Sequence, residues 1–233
     1  MLAVDCSFCS DEFKKIHLTL YTLTLIGKKL TRKTLSLVKD FHGLSEQVHM
    51  NKSELKAHLY ECLHCEVMKS KKKFSWWRTM QRAIKCPERR YLFWWRIASY
   101  LYHSNNKFRV KLAKRINRNL ISQYGTEIEL GAQIGAGMTF AHYQGIVISQ
   151  HSIIGRNLHI RQNVTIGAKT GTGVCTINLG DNVRIGANSC IINDNIKIGS
   201  NVDIGAMTYI NKDIPDNCII YTQKTNSLVI KNQ

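Results

Sequence analysis

Residues 178–210 read NLGDNVRIGANSCIINDNIKIGSNVDIGAMTYI, and this stretch decides the fold. A large aliphatic side chain returns at about every sixth position and is often followed by glycine, as at Ile185, Ile198 and Ile204. An α-helix repeats near 3.6 residues and a β-strand repeats at 2, so neither accounts for a period of six. A solenoid with triangular coils does, because each hexapeptide then supplies one short strand and one corner.

The same period extends over most of the second half of the chain. Its inward positions are Ile128, Ile134, Phe140, Ile148, Ile154, Ile160, Ile166, Leu179, Ile185, Ile191, Ile198, Ile204 and Ile210. We expect these side chains to stack between coils, and the following glycines to lie at corners where a Cβ atom would clash. The sequence therefore predicts a parallel β-helix over residues 124–233.

The first half has a helical texture instead. Pro87 marks a break that suits the first turn of a helix, and apolar residues recur at three- and four-residue steps after it. A further helix is predicted to place Phe108, Leu112, Ile116 and Leu120 on one face, and Ser53 is a candidate cap for an earlier one. We assign residues 50–123 to a basic helical region, and residues 1–49, whose patterns are weak, to a poorly defined helical segment.

Basic charge is concentrated in this helical half. Residues 1–125 hold 25 of the 33 Lys and Arg residues but 9 of the 16 Asp and Glu residues. Such asymmetry indicates either an anionic partner or a solvated helical face. The pairs Trp76-Trp77 and Trp94-Trp95 lie among these cations, which suits peripheral contact with a membrane, or else a helical core and subunit contact. Nucleic acid is not expected as a partner, because no recognisable binding module accompanies the charge.

Neither a membrane span nor a metal site is predicted. No run reaches the ~18 apolar residues that a bilayer requires, so we expect a cytoplasmic protein, or one at the inner face of the membrane. The pairs Cys6/Cys9 and Cys62/Cys65 are too far apart in sequence for a zinc ribbon, which separates its pairs by ~15–20 residues. Eight cysteines are then expected as free thiols.

The repeat is interrupted at three places, and these are where chemistry could be attached. Phe140 and Ile148 are eight residues apart, Ile166 and Leu179 thirteen, and Ile191 and Ile198 seven. The first interruption displays His142 beside Gly145, and the second forms a loop rich in glycine and threonine. A histidine on a short insertion next to a flexible loop predicts a functional site.

The repeats resemble the hexapeptide-repeat acyltransferases, and among them the serine acetyltransferases and the bacterial polysaccharide O-acetyltransferases. The resemblance spans about residues 124–216. It rests on Ile134-Gly-x-Gly, His142-x-x-Gly145-Ile-Val, Ile154-Gly, Asn163-Val-Thr-Ile-Gly167, Leu179-Gly-Asp-Asn-Val183-x-Ile-Gly-Ala-Asn188, Ile204-Gly-Ala and Lys212-Asp-Ile-Pro-Asp-Asn. It implies an α+β fold: a helical N-terminal region followed by a left-handed parallel β-helix of hexapeptide repeats.

The resemblance also implies an activity and a set of site residues. The reaction would be transfer of an acetyl group from acetyl-CoA to a hydroxyl, with His142 as general base and Glu127 as the carboxylate that orients it. Small residues would leave room for the pantetheine arm of CoA between the subunits of a homotrimer, or of a dimer of such trimers. These residues are Gly167, Ala168, Gly186, Ala187, Gly205 and Ala206.

Departures from the serine acetyltransferases indicate the acceptor. Those enzymes hold serine with an aspartate where this chain has Ala141, and with an Arg-His pair where it has Cys175 and Thr176. Without these polar groups the site should bind a zwitterion poorly, so we expect the hydroxyl of a sugar in surface-polysaccharide synthesis. Serine acetylation remains the alternative. A zinc-dependent carbonic anhydrase and a non-catalytic solenoid are the other candidates, and the wide spacing of His142, His151 and His159 argues against zinc.

Overall fold

A computed structural model describes residues 51–104, 106–171 and 175–223. The expected helical character of residues 1–49 lies outside these residues. Within the described residues four α-helices come first, and a π-helical segment, Leu63–Met68, continues the first of these. The helices are α1 (Lys52–Cys62), α2 (Trp76–Lys85), α3 (Pro87–Tyr102) and α4 (Lys107–Tyr124).

Local sequence explains the helix ends. The N-cap of α1 is Asn51 and not Ser53: its side chain accepts from the amides of Ser53 and Glu54, and the Glu54 carboxylate accepts from the Asn51 amide at 2.9 Å. The expected Ser53 cap is therefore wrong by two residues, because the reciprocal capping box with Glu54 forms at Asn51. Pro87 occupies the first turn of α3, as predicted. Gly125, with φ of +60°, ends α4 in a left-handed cap.

Fourteen short strands follow within the described residues. They are β1 (Glu127–Ile128), β2 (Gln133–Ile134), β3 (Thr139–Phe140), β4 (Val147–Ile148), β5 (Ser152–Ile154), β6 (His159–Ile160), β7 (Thr165–Gly167), β8 (Thr176–Leu179), β9 (Arg184–Ile185), β10 (Cys190–Ile192), β11 (Asn195–Ile198), β12 (Asp203–Ile204), β13 (Tyr209–Ile210) and β14 (Ile219–Ile220).

The strands form three parallel sheets, and successive strands up to β13 belong to the three sheets in turn. The first sheet has the order β1-β4-β7-β10-β13, the second β2-β5-β8-β11 and the third β3-β6-β9-β12-β14. Inward residues pair with their counterparts one coil away, as Ile128 does with Ile148 and Ile160 with Ile185. All thirteen aliphatic or aromatic positions of the period are buried. The predicted left-handed β-helix is confirmed.

Helix α3 covers the open edge of the first coil. The indole of Trp95 donates to the Ile128 carbonyl at 3.0 Å, and Arg96 donates to the carbonyls of Ile134 (2.7 Å) and Gly135 (2.9 Å). The buried Glu66 carboxylate accepts from two amides of the same coil, those of Gly137 and Met138, at 3.0 Å each. These side chains pair with backbone groups at the edge of the first coil. A preceding coil would otherwise supply such hydrogen-bond partners.

Asparagines occupy many of the tight corners. Asn157, Asn182, Asn201 and Asn217 all adopt left-handed backbone conformations, with φ between +57° and +60°. Their side chains form a ladder along one column of corners, each amide donating to the next at 2.9 Å. Asparagine suits these positions because it tolerates positive φ better than other residues with a side chain.

The two tryptophan pairs are not equivalent. Trp95 is fully buried, which places it in the helical core, whereas Trp94 is 44% exposed and Trp77 is 69% exposed. The predicted apolar face of α4 is also only partly covered: Leu120 is buried, but Phe108 is 84% exposed. No helix among the described residues is long and apolar enough to cross a membrane.

Candidate active site

His142 lies at a corner of the β-helix that follows the third sheet. The backbone ladder defines this column of corners: the Ala141 amide donates to the Ile160 carbonyl at 3.1 Å, Arg161 to Ile185 at 3.2 Å, and Gly186 to Ile204 at 2.8 Å. Ala141, Arg161, Gly186 and Gly205 are therefore successive members of one column. The corner of His142 lies two coils from that of Gly186.

The first interruption consists of two residues, His142 and Tyr143. Ala141 keeps the register of the coil, and the register resumes at Gln144, whose carbonyl accepts from the Asn163 amide at 2.9 Å. The pairing of strands gives the same count, since Glu127 pairs with Val147 twenty residues on, whereas Val147 pairs with Thr165 eighteen residues on. The predicted two-residue insertion is confirmed and carries the histidine.

The insertion is anchored on its inner side. Tyr143 is half-buried and its ring packs edge-on against Tyr124, with ring centroids 5.5 Å apart. The hydroxyl of Thr126 donates to the Tyr143 carbonyl. Gly145 ends the turn with φ of +69° and donates to the Gly125 carbonyl at 2.8 Å. A Cβ atom on Gly145 would lie 2.2 Å from Asn163 Oδ1, so glycine is required here. The exposed side chain of His142 thus projects from a fixed backbone.

Glu127 is exposed on the neighbouring strand of the preceding coil. Its amide donates to the Ile146 carbonyl at 2.8 Å, and its neighbour Thr126 holds Tyr143. The backbone next to Glu127 and the backbone next to His142 are therefore held together by hydrogen bonds. In the described part of the chain no hydrogen bond joins the two side chains. Catalytic hydrogen bonds are often long before substrate binds and tighten afterwards.

Cations lie near the outer face of the third sheet, next to His142, and one of them, Arg184, is paired with Asp203 at 3.4 Å. The hydroxyl oxygen of Thr139 lies 3.0 Å from Nδ1 of His159. Burial lowers the pKa of His159, and the nearby cations Arg161, Arg184 and Lys69 lower it further. Arg161 is exposed and occupies the corner next to Ala141. A cation therefore lies beside the position where the serine acetyltransferases are expected to carry an aspartate.

The six small residues predicted to line a cofactor groove fall into two sets. Gly186-Ala187 and Gly205-Ala206 lie in the column of His142, whereas Gly167 ends β7 of the first sheet and Ala168 follows it, at a different corner. Coil stacking explains Gly186, because a Cβ atom there would lie 2.5 Å from the Ala206 amide nitrogen. Gly167 differs: a Cβ atom would meet nothing closer than the Ile192 side chain, at 3.8 Å. Packing against the described residues therefore does not require glycine at position 167.

The long loop after β7 is fastened by Asp194, which the sequence did not single out. Its carboxylate accepts from the Thr170 amide at 2.9 Å and from the Thr170 hydroxyl at 2.7 Å. These hydrogen bonds lower the pKa of Asp194. Asp194 belongs to the seven-residue spacing between Ile191 and Ile198, so that spacing was the signal. Asp194, in the third interruption of the repeat, thus holds the loop that the second interruption forms.

Cys175 and Thr176 lie at the end of this loop. The Cys175 side chain is buried, with its sulfur 3.7 Å from the Asp194 carboxylate, and Thr176 begins β8. Neither presents a charged group to solvent.

The three histidines of the zinc alternative do not converge within one chain. His142 follows the third sheet, His151 lies at a corner after the first, and His159 faces outward on the third sheet beside Thr139. Among the residues that the structure describes, no three His, Cys, Asp or Glu side chains are grouped as a metal site would need. The pair Cys6/Cys9 lies outside those residues.

Comparison with known proteins shows which of them this chain resembles. No family model matches the chain. Serine acetyltransferase from Haemophilus influenzae is 35% identical over 79 residues, which is 34% of this chain and 27% of that protein. The putative colanic acid biosynthesis acetyltransferase WcaB of Escherichia coli K12 is 34% identical over 108 residues, 46% of this chain and 66% of that protein. Serine acetyltransferase isoform 3 of Entamoeba histolytica, solved with cysteine, superimposes with a TM-score of 0.59 at 26% identity, covering 76% of this chain and 61% of that one.

The β-helix of this chain is similar to that of serine acetyltransferases, which are hexapeptide-repeat acyltransferases. The resemblance predicted from the repeat motifs is thereby confirmed. The chain spans about a quarter of the length of the curated serine acetyltransferases that it matches. The similar proteins include enzymes named for serine and one named for colanic acid biosynthesis, so the comparisons leave the acceptor open.

Proposed function

We propose that this protein is an acetyl-CoA-dependent O-acetyltransferase whose acceptor is a sugar hydroxyl, as in surface-polysaccharide synthesis. The observation that carries the proposal is the insertion of His142 and Tyr143 into a regular coil. A structural solenoid does not need two extra residues, one anchored inward and one projecting outward. The acetyltransferases among the relatives support the reaction type.

His142 acts in this proposal as the general base. One nitrogen of its imidazole accepts the proton of the acceptor hydroxyl as that oxygen attacks the acetyl group. Glu127, on the adjacent coil, orients the imidazole and stabilises the cation that forms. A positioned base of this kind contributes ~10²–10⁴-fold to the rate.

The residues present fit a pantetheine arm. Beside Gly167 the nearest described atom to a Cβ would be in the Ile192 side chain, at 3.8 Å, which leaves room for a narrow ligand. Gly167-Ala168 and Gly186-Ala187 lie at different corners of a triangular coil, so one chain cannot line a single groove with both. Two neighbouring chains can, when the corner of one approaches a different corner of the next. Bound acetyl-CoA would supply the acetyl group as an activated thioester.

This arrangement implies a homotrimer with a shared site. Light scattering of the full chain should then report a multiple of three times 26.7 kDa. A stable and active monomer would contradict the shared site.

The electrostatics of the site favour a neutral acceptor over serine. Ala141 offers no carboxylate to the ammonium group of serine, and the neighbouring Arg161 repels it. Cys175 is buried and uncharged, so it does not hold a carboxylate. Each lost charge-assisted contact costs ~1.5–3 kcal/mol, and a site without them discriminates strongly against the zwitterion.

Release of free thiol from acetyl-CoA tests the reaction. His142→Ala should lower kcat by about 10²-fold or more, while the fold and the affinity for CoA stay unchanged. His151→Ala is the matched control, since this histidine lies at another corner and should keep wild-type turnover. Activity of His142→Ala within threefold of wild type would remove His142 as the base.

A panel of acceptors separates the two functions. Oligosaccharides and nucleotide sugars should support acetyl transfer, and millimolar L-serine should support little. Efficient turnover of L-serine would replace the sugar proposal with serine O-acetylation, for which several of the structural relatives are named.

A further inference from the structure

Helix α2 carries an apolar face that the described chain leaves open. Trp77 is 69% exposed, Ile84 62% and Met80 46%, and their spacing of three and four residues places them on one side of the helix. The residues of α2 that are buried, Thr79 and Ala83, lie on another side. Large apolar side chains grouped in this way on a surface mark an interaction site.

The same segment is strongly cationic. Residues 69–85 contain seven Lys and Arg residues and no Asp or Glu. Lys71, Lys72 and Lys73 are exposed immediately before the helix, and Arg78 and Lys85 are exposed on it. The Arg82 side chain donates to the Lys69 carbonyl at 3.1 Å, so the lysine segment is tied to the helix.

Contacts with neighbouring side chains and the backbone hold helix α2 in place. Trp76 packs edge-on against Phe74 and Tyr60, with ring centroids 5.2 and 5.7 Å away. The hydroxyl of Thr79 donates to the Ser75 carbonyl at 2.8 Å within the first turn. The open face is therefore a defined surface of the folded protein.

We propose that α2 and Lys71–Lys73 dock on an anionic lipid surface. Exposed tryptophan and aliphatic side chains beside a cluster of cations are the chemistry of a helix that lies in the plane of a membrane interface. Trp77, Met80 and Ile84 enter the headgroup region, and the lysines contact anionic headgroups.

Charge argues against a second copy of this chain as the occupant. A twofold contact through α2 would bring the same surface of both subunits together. Seven cations of one copy would then face seven of the other, with no carboxylate from residues 69–85 to neutralise them. Anionic lipid both neutralises this charge and accepts the apolar face.

Sedimentation of the full chain with vesicles tests the proposal. We expect binding to phosphatidylcholine vesicles that contain about a third phosphatidylglycerol, weakening as salt rises, and little binding to phosphatidylcholine alone. Replacing Lys71, Lys72 and Lys73 together by Gln should weaken binding on the order of 10²-fold, since each cation near the surface contributes about fivefold. Trp77→Ser should weaken it roughly tenfold or more through lost apolar burial.

A matched control removes the same charge elsewhere. Lys111, Lys114 and Arg115 are exposed on α4, and replacing all three by Gln should leave most of the vesicle binding intact. Circular dichroism and thermal unfolding check that every variant is folded.

Three results would overturn the proposal. Equal binding to neutral and anionic vesicles would exclude recognition of charge, and equal loss in the α4 control would exclude α2 as the docking surface. A Trp77→Ser variant that keeps vesicle binding but changes its mass in light scattering would assign this face to a second copy.

Discussion

Arg96 is the residue whose loss should damage the fold most. Its side chain is 4% exposed and forms a double hydrogen bond with the fully buried Glu66, at 2.6 and 2.9 Å, while also donating to the carbonyls of Ile134 and Gly135. Arg96→Met keeps an apolar chain of similar length but removes all four donated hydrogen bonds. Glu66 is then left buried with only the two amides of Gly137 and Met138 as partners.

The magnitude follows from this loss of partners. Removing one member of a buried ion pair costs about 3–5 kcal/mol, because the other charge remains uncompensated. Two backbone carbonyls at the edge of the first coil lose their donors at the same time, and each such loss costs ~1–3 kcal/mol when the group stays buried. We therefore expect the free energy of unfolding to fall by at least about 4 kcal/mol. Total stabilities of domains are about 5–15 kcal/mol, so the variant should be close to unfolding.

Arg156→Met is the matched control. Arg156 also pairs with a glutamate of α1, Glu61, but the two side chains are 52% and 43% exposed. Exposed ion pairs contribute about 0–1 kcal/mol, so this variant should remain near wild type. Urea unfolding followed by circular dichroism measures both. Equal costs for the two variants, or a loss below 1 kcal/mol for Arg96→Met, would refute the edge-capping role of Arg96.

Three further predictions concern the site. Glu127→Gln should lower kcat in the thiol-release assay, but by less than His142→Ala does, because an orienting group supplies only part of the effect of the base. Asp194→Asn should loosen the loop that Thr170 begins, seen as faster limited proteolysis at residues 169–175; in the wild type the same loosening should appear only as pH falls through the lowered pKa of Asp194. Because the pKa of His159 is lowered from 6.5, the unfolded chain takes up its proton first as pH falls, so stability should decline below about pH 6.5. His159→Gln should flatten that part of the stability–pH profile.

Each of these has an outcome that would contradict it. Wild-type turnover of Glu127→Gln across pH 6–9 would remove the orienting role. Proteolysis of Asp194→Asn at the wild-type rate would mean that the loop is held by other contacts. An unchanged slope in His159→Gln would assign the acidic decline to other groups, His58 first, whose pKa burial also lowers.

The β-helix could be predicted because its core residues recur in the sequence at a regular spacing. Ile128, Ile148 and Ile166 occupy equivalent positions of successive coils, so they recur in the chain and also stack in one sheet. His142 stands out because it lies where this recurrence is interrupted. The corners were predicted only where glycine marks them. Asparagine fills left-handed positions at other corners, and Asn182 could have been recognised from its tolerance of positive φ.

Long-range contacts explain what sequence patterns missed. Trp95 and Trp77 lie in similar pairs of aromatic residues, yet one donates to the first coil and the other faces outward. Phe108 shares a helical face with Leu120, but Phe108 is exposed whereas Leu120, at the C-terminal end of that face, is buried. Periodicity shows that a face exists, and only the packing partner shows how far along the helix it is covered.

The stacked register of the coils limits which insertions and deletions the β-helix can accept. An undisturbed coil takes eighteen residues, as from Val147 to Thr165, and the asparagine ladder joins each corner to the same corner of the next coil. Loss or gain of one whole coil would return every strand to an equivalent partner. A change of one residue within a strand would turn the side chains that follow it in that strand to the opposite face. Insertions and deletions in related chains should therefore come either as whole coils or at corners, where extra residues such as His142 and Tyr143 are absorbed without disturbing the register.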